Sequence, residues 1–264
     1  MKITNETRAL ITGANGGLGQ AIAEALAARG AKITVSGRRA DALEPLRSRW
    51  NAEVLVADLV SRADVQRLEA AAQRCDVLVL NAALPASGHM HDFEPDHVDR
   101  AFDVNLRAPI HLACAASRAM VGRGYGQIVF ISSISGKVAG YRTALYSATK
   151  FGMRGFALGL RADLREHGVG VTTVFPGFIR GAGMFAEAGV KLPRGVGTRS
   201  PADVGAAVVR AVERDLCEVD VAAFEQRLGG WLANLFPEFV ATIQRAAGGH
   251  AVAELIAAGQ RHKR

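Results

Sequence analysis

The chain has little that would hold it together covalently. Its 264 residues include three cysteines, Cys75, Cys114 and Cys217. They are odd in number, far apart and never in a C-x-x-C pair, which argues against a disulfide framework and a structural zinc site. Each reads as a small core hydrophobe, and no metal is expected. No apolar run approaches the ~20 residues needed to span a bilayer. The polar opening Met1 to Arg8 shows no signal peptide. The expectation is a cytoplasmic chain without an integral membrane segment. Internal repeats and low-complexity segments are also missing.

What is present suits a folded globular chain: 49% of residues are hydrophobic and 22% charged. A chain of this length buries most of its unfolded surface and folds without staples. The net charge of +7, from 32 basic and 25 acidic residues, raises nucleic acid as a partner. The basic residues are scattered, however, and only Arg261, His262, Lys263 and Arg264 cluster. Nucleic acid is therefore not expected; if it bound, its affinity would fall steeply with salt. A ligand rich in phosphate is another reason for local positive charge.

Short apolar runs alternate with longer amphipathic stretches. Strands are expected at 9–12, 31–36, 53–57, 77–80, 127–132, 169–175 and 218–221. Helices are expected at 20–29, 41–50, 62–74, 96–120, 145–166 and 201–214. Continuous apolar strands separated by helices imply a parallel sheet covered on both faces, and right-handed crossovers make it a doubly wound α/β fold. Residues 177–199 read as a long glycine-rich loop, of the kind that is usually functional. The tail 224–256 is helical in pattern and is broken into two helices by Pro237.

The first strand ends in Thr12-Gly13-Ala14-Asn15-Gly16-Gly17-Leu18-Gly19, and a helix pattern follows at once. Glycines there permit a tight turn and close approach of backbone to phosphate. The helix N-terminus adds unpaired N–H groups and partial positive charge. The spacing differs from the commonest dinucleotide fingerprint, G-x-G-x-x-G. The second strand ends in Ser36-Gly37-Arg38-Arg39. An acid at that point favours NAD and an arginine accommodates the 2′-phosphate of NADP. NADP is thus favoured over NAD, with Arg38 as the main contact and Arg39 second.

Tyr146 and Lys150 are four apart on a predicted helix, hence on one face. An ammonium beside a phenol lowers its pKa of about 10 toward a useful range. Thirteen residues earlier, Ser133 closes the fifth strand, where doubly wound sheets bind ligands.

Together these motifs resemble those of the short-chain dehydrogenase/reductase family. The T-G-x-x-x-G-x-G turn at Thr12 to Gly19 is similar to that family's cofactor motif. Ser133, Tyr146 and Lys150 are similar to its active-site set. Asp58-Leu59 resembles the pair contacting the adenine ring. Asn81-Ala82-Ala83 resembles the N-N-A-G stretch, Asn105 the helix asparagine, and Pro176-Gly177 the P-G after strand six. The likeness covers about residues 5–220 of one Rossmann-type domain spanning 1–264, with a substrate loop at about 177–200 and a helical extension from about 223.

The resemblance implies hydride transfer between nicotinamide and a carbonyl or alcohol substrate. Tyr146 would be the general acid–base and Lys150 the ribose contact that lowers its pKa. Ser133 would bond the substrate oxygen, and Asn105 would hold a water linking Lys150 to solvent. It also implies a homodimer or homotetramer joined through the helices at 96–120 and 145–166. The alternative is a catalytically silent NADP-binding regulatory protein, against which the intact Asn105, Ser133, Tyr146 and Lys150 argue.

Two stretches depart from the family pattern. Leu80 and Ala83 replace an asparagine and the glycine of N-N-A-G. Gly181 stands where a threonine usually meets the nicotinamide carboxamide, which leaves that contact to the Ile179 backbone or to Arg180. Met184 and Phe185 would cover the substrate. His89 and His91 read as exposed loop residues. Leu228, Trp231, Leu232, Leu235, Phe239 and Ile243 share a helical face. Packing of that face on the core, the pocket or another subunit is favoured over a membrane surface.

Overall fold

The computed structural model describes residues 1–190, 196–246 and 249–260. Seven parallel strands form one sheet in the order β3-β2-β1-β4-β5-β6-β7. They are β1 (Arg8–Thr12), β2 (Lys32–Gly37), β3 (Glu53–Val56), β4 (Val77–Leu80), β5 (Gly126–Ile131), β6 (Val169–Pro176) and β7 (Glu218–Val221). The helices between them are α1 (Gly17–Ala27), α2 (Ala40–Trp50), α3 (Arg62–Arg74), α4 (Pro95–Phe102), α5 (Ala108–Arg123), α6 (Ala144–Leu164), α7 (Gly183–Glu187) and α8 (Pro201–Arg214). Three more, α9 (Phe224–Leu235), α10 (Pro237–Ala246) and α11 (Gly249–Gln260), follow the sheet. The doubly wound α/β fold expected from the alternation is the fold observed.

The apolar strands feed two cores, one on each face, because successive side chains point to opposite sides. Ala9, Ile11, Val77, Val79 and Val129 pack with Ile22, Leu26, Val208 and Val212 of α1 and α8. Leu10, Leu78, Leu80, Ile128 and Phe130 pack with Leu68, Leu112, Met120 and Met153 of α3, α5 and α6. The chain reverses its direction of winding between β1 and β4, and this is where an open sheet leaves a crevice beyond its strand ends. Thr12 closes that crevice from below. Its Oγ1 accepts from the Asn81 and Ala82 N–H groups at 3.0 and 3.2 Å, and the Asn81 amide donates to the Thr12 and Gly13 carbonyls.

Several expectations change. α1 starts at Gly17, not Gln20, so the glycine turn itself supplies the first helical turn. The expected 96–120 helix is interrupted by a π-turn over Asp103–Arg107 before α5. Pro109 lies near the start of α5; lacking an N–H, it cannot bond the Asn105 carbonyl, and a widened turn accommodates that loss. Within the glycine-rich loop, α7 forms and Ile179 bridges Arg199. Among the described residues the tail makes three helices rather than two. Leu228, Trp231, Leu235, Phe239 and Ile243 are all exposed, with Phe224 and Phe236 beside them, so their shared face does not pack on this chain's core. Cys75 is buried, but Cys217 is exposed and is no core hydrophobe.

α1 and α8 approach closely at Gly205, where an added Cβ would sit 2.5 Å from the Ala21 carbonyl oxygen. Glycine inside a helix ordinarily costs up to about 1 kcal/mol against alanine, yet here the backbone contact outweighs propensity. Gly205→Val should destabilise the protein by roughly 1–3 kcal/mol through overpacking, read as a lower urea midpoint at unchanged slope. A midpoint equal to or above that of the wild type would rule out this account of the interface.

Candidate active site

A cleft of about 1130 Å³ runs across the carboxyl ends of the strands. At one end is the glycine turn. Gly13 has φ +64° and lies so close to Ala82 that a Cβ would stand 2.7 Å from its Cα. No other residue type meets both demands. The turn delivers α1 with Gly16 as its N-cap, no capping side chain and no acid in the first turn. Its leading N–H groups are therefore open to an anion. Asn15 stands over Gly37 at the end of β2, and Leu18 and Gly19 line the same end.

Arg38 and Arg39 follow β2, line the cleft and are exposed. Among the described residues neither forms an ion pair or side-chain hydrogen bond. Two unpartnered guanidinium groups beside a helix N-terminus make a site suited to a second phosphate. Asp58 and Leu59 line the cleft beyond β3, and the Asp58 carboxylate accepts from the Val60 N–H at 3.1 Å. Ala82, Ala83, Pro176, Gly177 and Ile179 complete this wall. Arg180 does not belong to it: it is exposed and donates to the Thr198 carbonyl oxygen at 3.3 Å. Of the two residues expected to replace the missing threonine, Ile179 lines the cleft and Arg180 does not. The loop meets the turn directly, since a Cβ on Gly17 would strike the Ala182 Cβ.

In the middle of the cleft the end of β5 meets α6. Lys150 is 1% exposed, and its Nζ donates to the Ile131 carbonyl at 3.0 Å. Tyr146 lies one helical turn earlier, with the Lys150 Nζ 5.6 Å from its ring centroid. Ser133 lies close enough to Tyr146 to lower its phenol, and its Oγ accepts from the Ser135 N–H at 3.1 Å. The structure thus brings Ser133, Tyr146 and Lys150 to one point.

Burial dominates the protonation of both groups. Burial pushes the Tyr146 phenol up to about 12, against the lowering effect of the Ser133 bond. Burial pushes Lys150 down to about 7.

Asn105 is fully buried and lies on the π-turn. Its Oδ1 accepts from the Leu84 N–H at 2.7 Å; its Nδ2 donates to the Leu84 carbonyl at 3.0 Å and to Thr149 Oγ1 at 3.3 Å. The amide is fully used in fixing the segment after β4 to α6.

Sequence reasoning missed the far end of the cleft. Tyr141, Gln244, Val252, Ala253, Ile256 and Gln260 line it beside Met184 and Phe185. The helical period of 249–260 could have flagged these residues, but not which body they face. His89 is half-buried and bonded to Arg142 rather than free in a loop, whereas His91 is exposed.

Comparison with known proteins agrees with this geometry. A family model described as short chain dehydrogenase matches residues 7–191. An uncharacterised oxidoreductase of Staphylococcus aureus is 31% identical over 186 residues, covering 68% of this chain and 80% of that protein. A dehydrogenase/reductase SDR family protein 7-like of Anopheles gambiae is 32% identical over 249 residues, covering 86% and 78%. Among solved structures, a short-chain dehydrogenase from Sphingobium yanoikuyae in complex with NADPH superposes with a TM-score of 0.75. It is 28% identical, covering 88% of this chain and 96% of that one.

The lowered Lys150 pKa has a consequence for stability. Below pH about 7 folded and unfolded states both hold the proton, and the cost of burying the ammonium is fully present. Between about 7 and 10.5 the folded state has released it while the unfolded state keeps it, so stability rises with pH. Cofactor-free protein should gain up to ~1.4 kcal/mol per pH unit in that window relative to Lys150→Met. Denaturant titrations of both proteins at about pH 7 and about pH 9.5 check this; parallel behaviour would mean that Lys150 is not held neutral.

Proposed function

The chain belongs to the short-chain dehydrogenase family, and from that premise we propose that it is an NADP-dependent carbonyl reductase with Tyr146 as its proton donor. The observation that carries this reading is one cleft with Ser133, Tyr146 and Lys150 converging at its centre and the unpaired Arg38 and Arg39 at its end. The residues present fit the dinucleotide. The Gly13 to Gly19 turn and the uncapped start of α1 would hold its pyrophosphate, and Arg38, with Arg39, its 2′-phosphate. Asp58 and Leu59 would border the adenine, and Asn81 through Ala83, Pro176, Gly177 and Ile179 the nicotinamide side. When bound, NADPH supplies the hydride that a carbonyl carbon takes up.

The protein's own part is to hold the oxygen and give it a proton. Ser133 has a single O–H, and turning it from Tyr146 to the substrate oxygen would polarise the carbonyl. A phenol kept protonated at neutral pH is the acid that a reduction needs, and the Tyr146 proton passes to the oxygen as the C–H bond forms. The phenolate left behind is an anion beside Lys150, whose ammonium would then offset it and contact the ribose. The products balance as one alcohol and one oxidised dinucleotide, with the phenol recovering its proton from solvent.

Self-association is part of the proposal. The outer face of α6 carries exposed Phe151 and Leu158 with Gly155 and Gly159 open beside them, a flat surface suited to a second copy of this chain.

Tyr146→Phe should keep NADPH affinity and lose roughly 10²–10⁴ in turnover, measured on a panel of ketones and aldehydes by NADPH absorbance. Undiminished turnover would sink the assignment. Cofactor binding with no turnover on any carbonyl would favour the silent regulatory reading. Arg38→Ala should weaken NADPH far more than NADH, by about tenfold or more for loss of a charge-assisted phosphate contact; equal weakening in a binding titration would remove the NADP preference.

A further inference from the structure

Part of the cleft wall lies outside the residues that the family model matches. α11 turns Gly249, Val252, Ala253, Ile256 and Gln260 toward the cleft, and steps of three and four residues put them on one helical face. All five follow residue 191, where the family match ends.

The helix is pinned at both ends. Near its start, Glu254 accepts from Arg142 Nε at 2.8 Å, and the rest of that guanidinium meets His89 Nδ1 at 2.8 Å and His250 Nε2 at 3.2 Å. The Tyr141 ring meets the edge of His250 at 5.4 Å. Arg142 holds a left-handed backbone, φ +60°, and its carbonyl accepts from the Gly88 N–H at 2.7 Å. A non-glycine residue in that conformation persists only where its surroundings impose it. Arg142 is also four residues before Tyr146, so the pin joins α11 to the reacting segment. At the far end, Gly259 lies against Ala188, and Gln260 Nε2 donates to the Met184 carbonyl at 3.2 Å.

The chemistry of this wall is uneven. Val138, Tyr141, Met184, Val252, Ala253 and Ile256 offer apolar surface. Arg100 and Glu187 also line the cleft, and neither is free. Gln260 also lines the cleft; it is 6% exposed, and its buried Oε1 has no hydrogen-bond partner among the described residues. A buried acceptor left open is costly, and a ligand donor would relieve it.

We propose that α11, pinned by Arg142, is the specificity wall of the cleft, and that it selects a bulky, uncharged, largely apolar carbonyl compound whose hydroxyl or amide N–H, remote from the reacting carbonyl, donates to Gln260 Oε1. The proposal rests on the carbonyl-reductase reading. Gln260 acts on binding and selection, not on the proton transfer.

The test uses the full chain with NADPH and three probes: a saturated steroid ketone with a hydroxyl on its far ring, the same ketone without it, and cyclohexanone. Wild type should rank them in that order by kcat/KM. Gln260→Leu should reduce the ratio of hydroxyketone to deoxyketone about tenfold, chiefly through KM. Val252→Trp, which fills the wall, should reduce the ratio of either steroid to cyclohexanone by a similar factor. Glu254→Ala, which unpins α11 without touching its lining, should move that second ratio in the same direction. Unchanged ratios, or cyclohexanone as the preferred wild-type substrate, would overturn the proposal. So would a Gln260→Leu protein whose main loss is affinity for NADPH itself. If no probe turns over, equilibrium dialysis of the two steroids against NADP-loaded protein separates the questions. A hydroxyl preference that Gln260→Leu abolishes keeps the wall and removes the reductase reading, while no preference overturns the wall.

Discussion

The buried Lys150 ammonium constrains everything around it. An amine with 1% of its surface exposed and a single carbonyl partner, Ile131, is held where water cannot solvate its charge. That bond ties the middle of α6 to the end of β5. Ser132 Oγ reinforces the tie by donating to the Lys150 carbonyl at 3.3 Å. Because Tyr146 lies one turn back on α6 and Ser133 leaves β5 next to Ile131, fixing these two elements also fixes the phenol and the hydroxyl against one another. The unfavourable burial of the lysine is thus localised at the point that the proposed chemistry would use, where an anion on Tyr146 or a bound dinucleotide would improve its surroundings.

The sheet sets the direction of the cleft. With β1 and β4 adjacent and the crossovers leaving them on opposite faces, the strand ends open a crevice, and the Thr12–Asn81 hydrogen bonds hold its two lips in register. Glycine at position 13 lets those lips approach to backbone contact. The arginines after β2 then stand at the glycine-turn end, with no acid paired to them among the described residues. Electrostatics and topology thus agree on where a phosphate-rich ligand would lie.

The C-terminal helices add a second layer of meaning to the same cleft. α11 turns one face inward and is clamped by an arginine that also abuts the Tyr146 segment. Trp231 of α9, Phe236 between the two helices, and Phe239 and Ile243 of α10 face outward. An apolar outer face of this extent is no part of this chain's own core.

The sequence by itself determined the doubly wound sheet, the glycine turn at its switch point and the spacing of Ser133, Tyr146 and Lys150, because each of these is local. An apolar run, a tight turn and a four-residue helical step are written in consecutive residues. It also left two arginines where an acid would mark NAD. Only the tertiary structure decided that Lys150 turns to Ile131, that burial leaves the phenol high, that Pro109 widens the helix at Asn105, and that the tail's apolar face stays exposed while α11 lines the cleft. These outcomes depend on burial and on partners that no local pattern names, as near as Ile131 to Lys150 and as far as Glu254 from Arg142. The periodicity of a helix shows that it has a face, and only packing shows what the face meets.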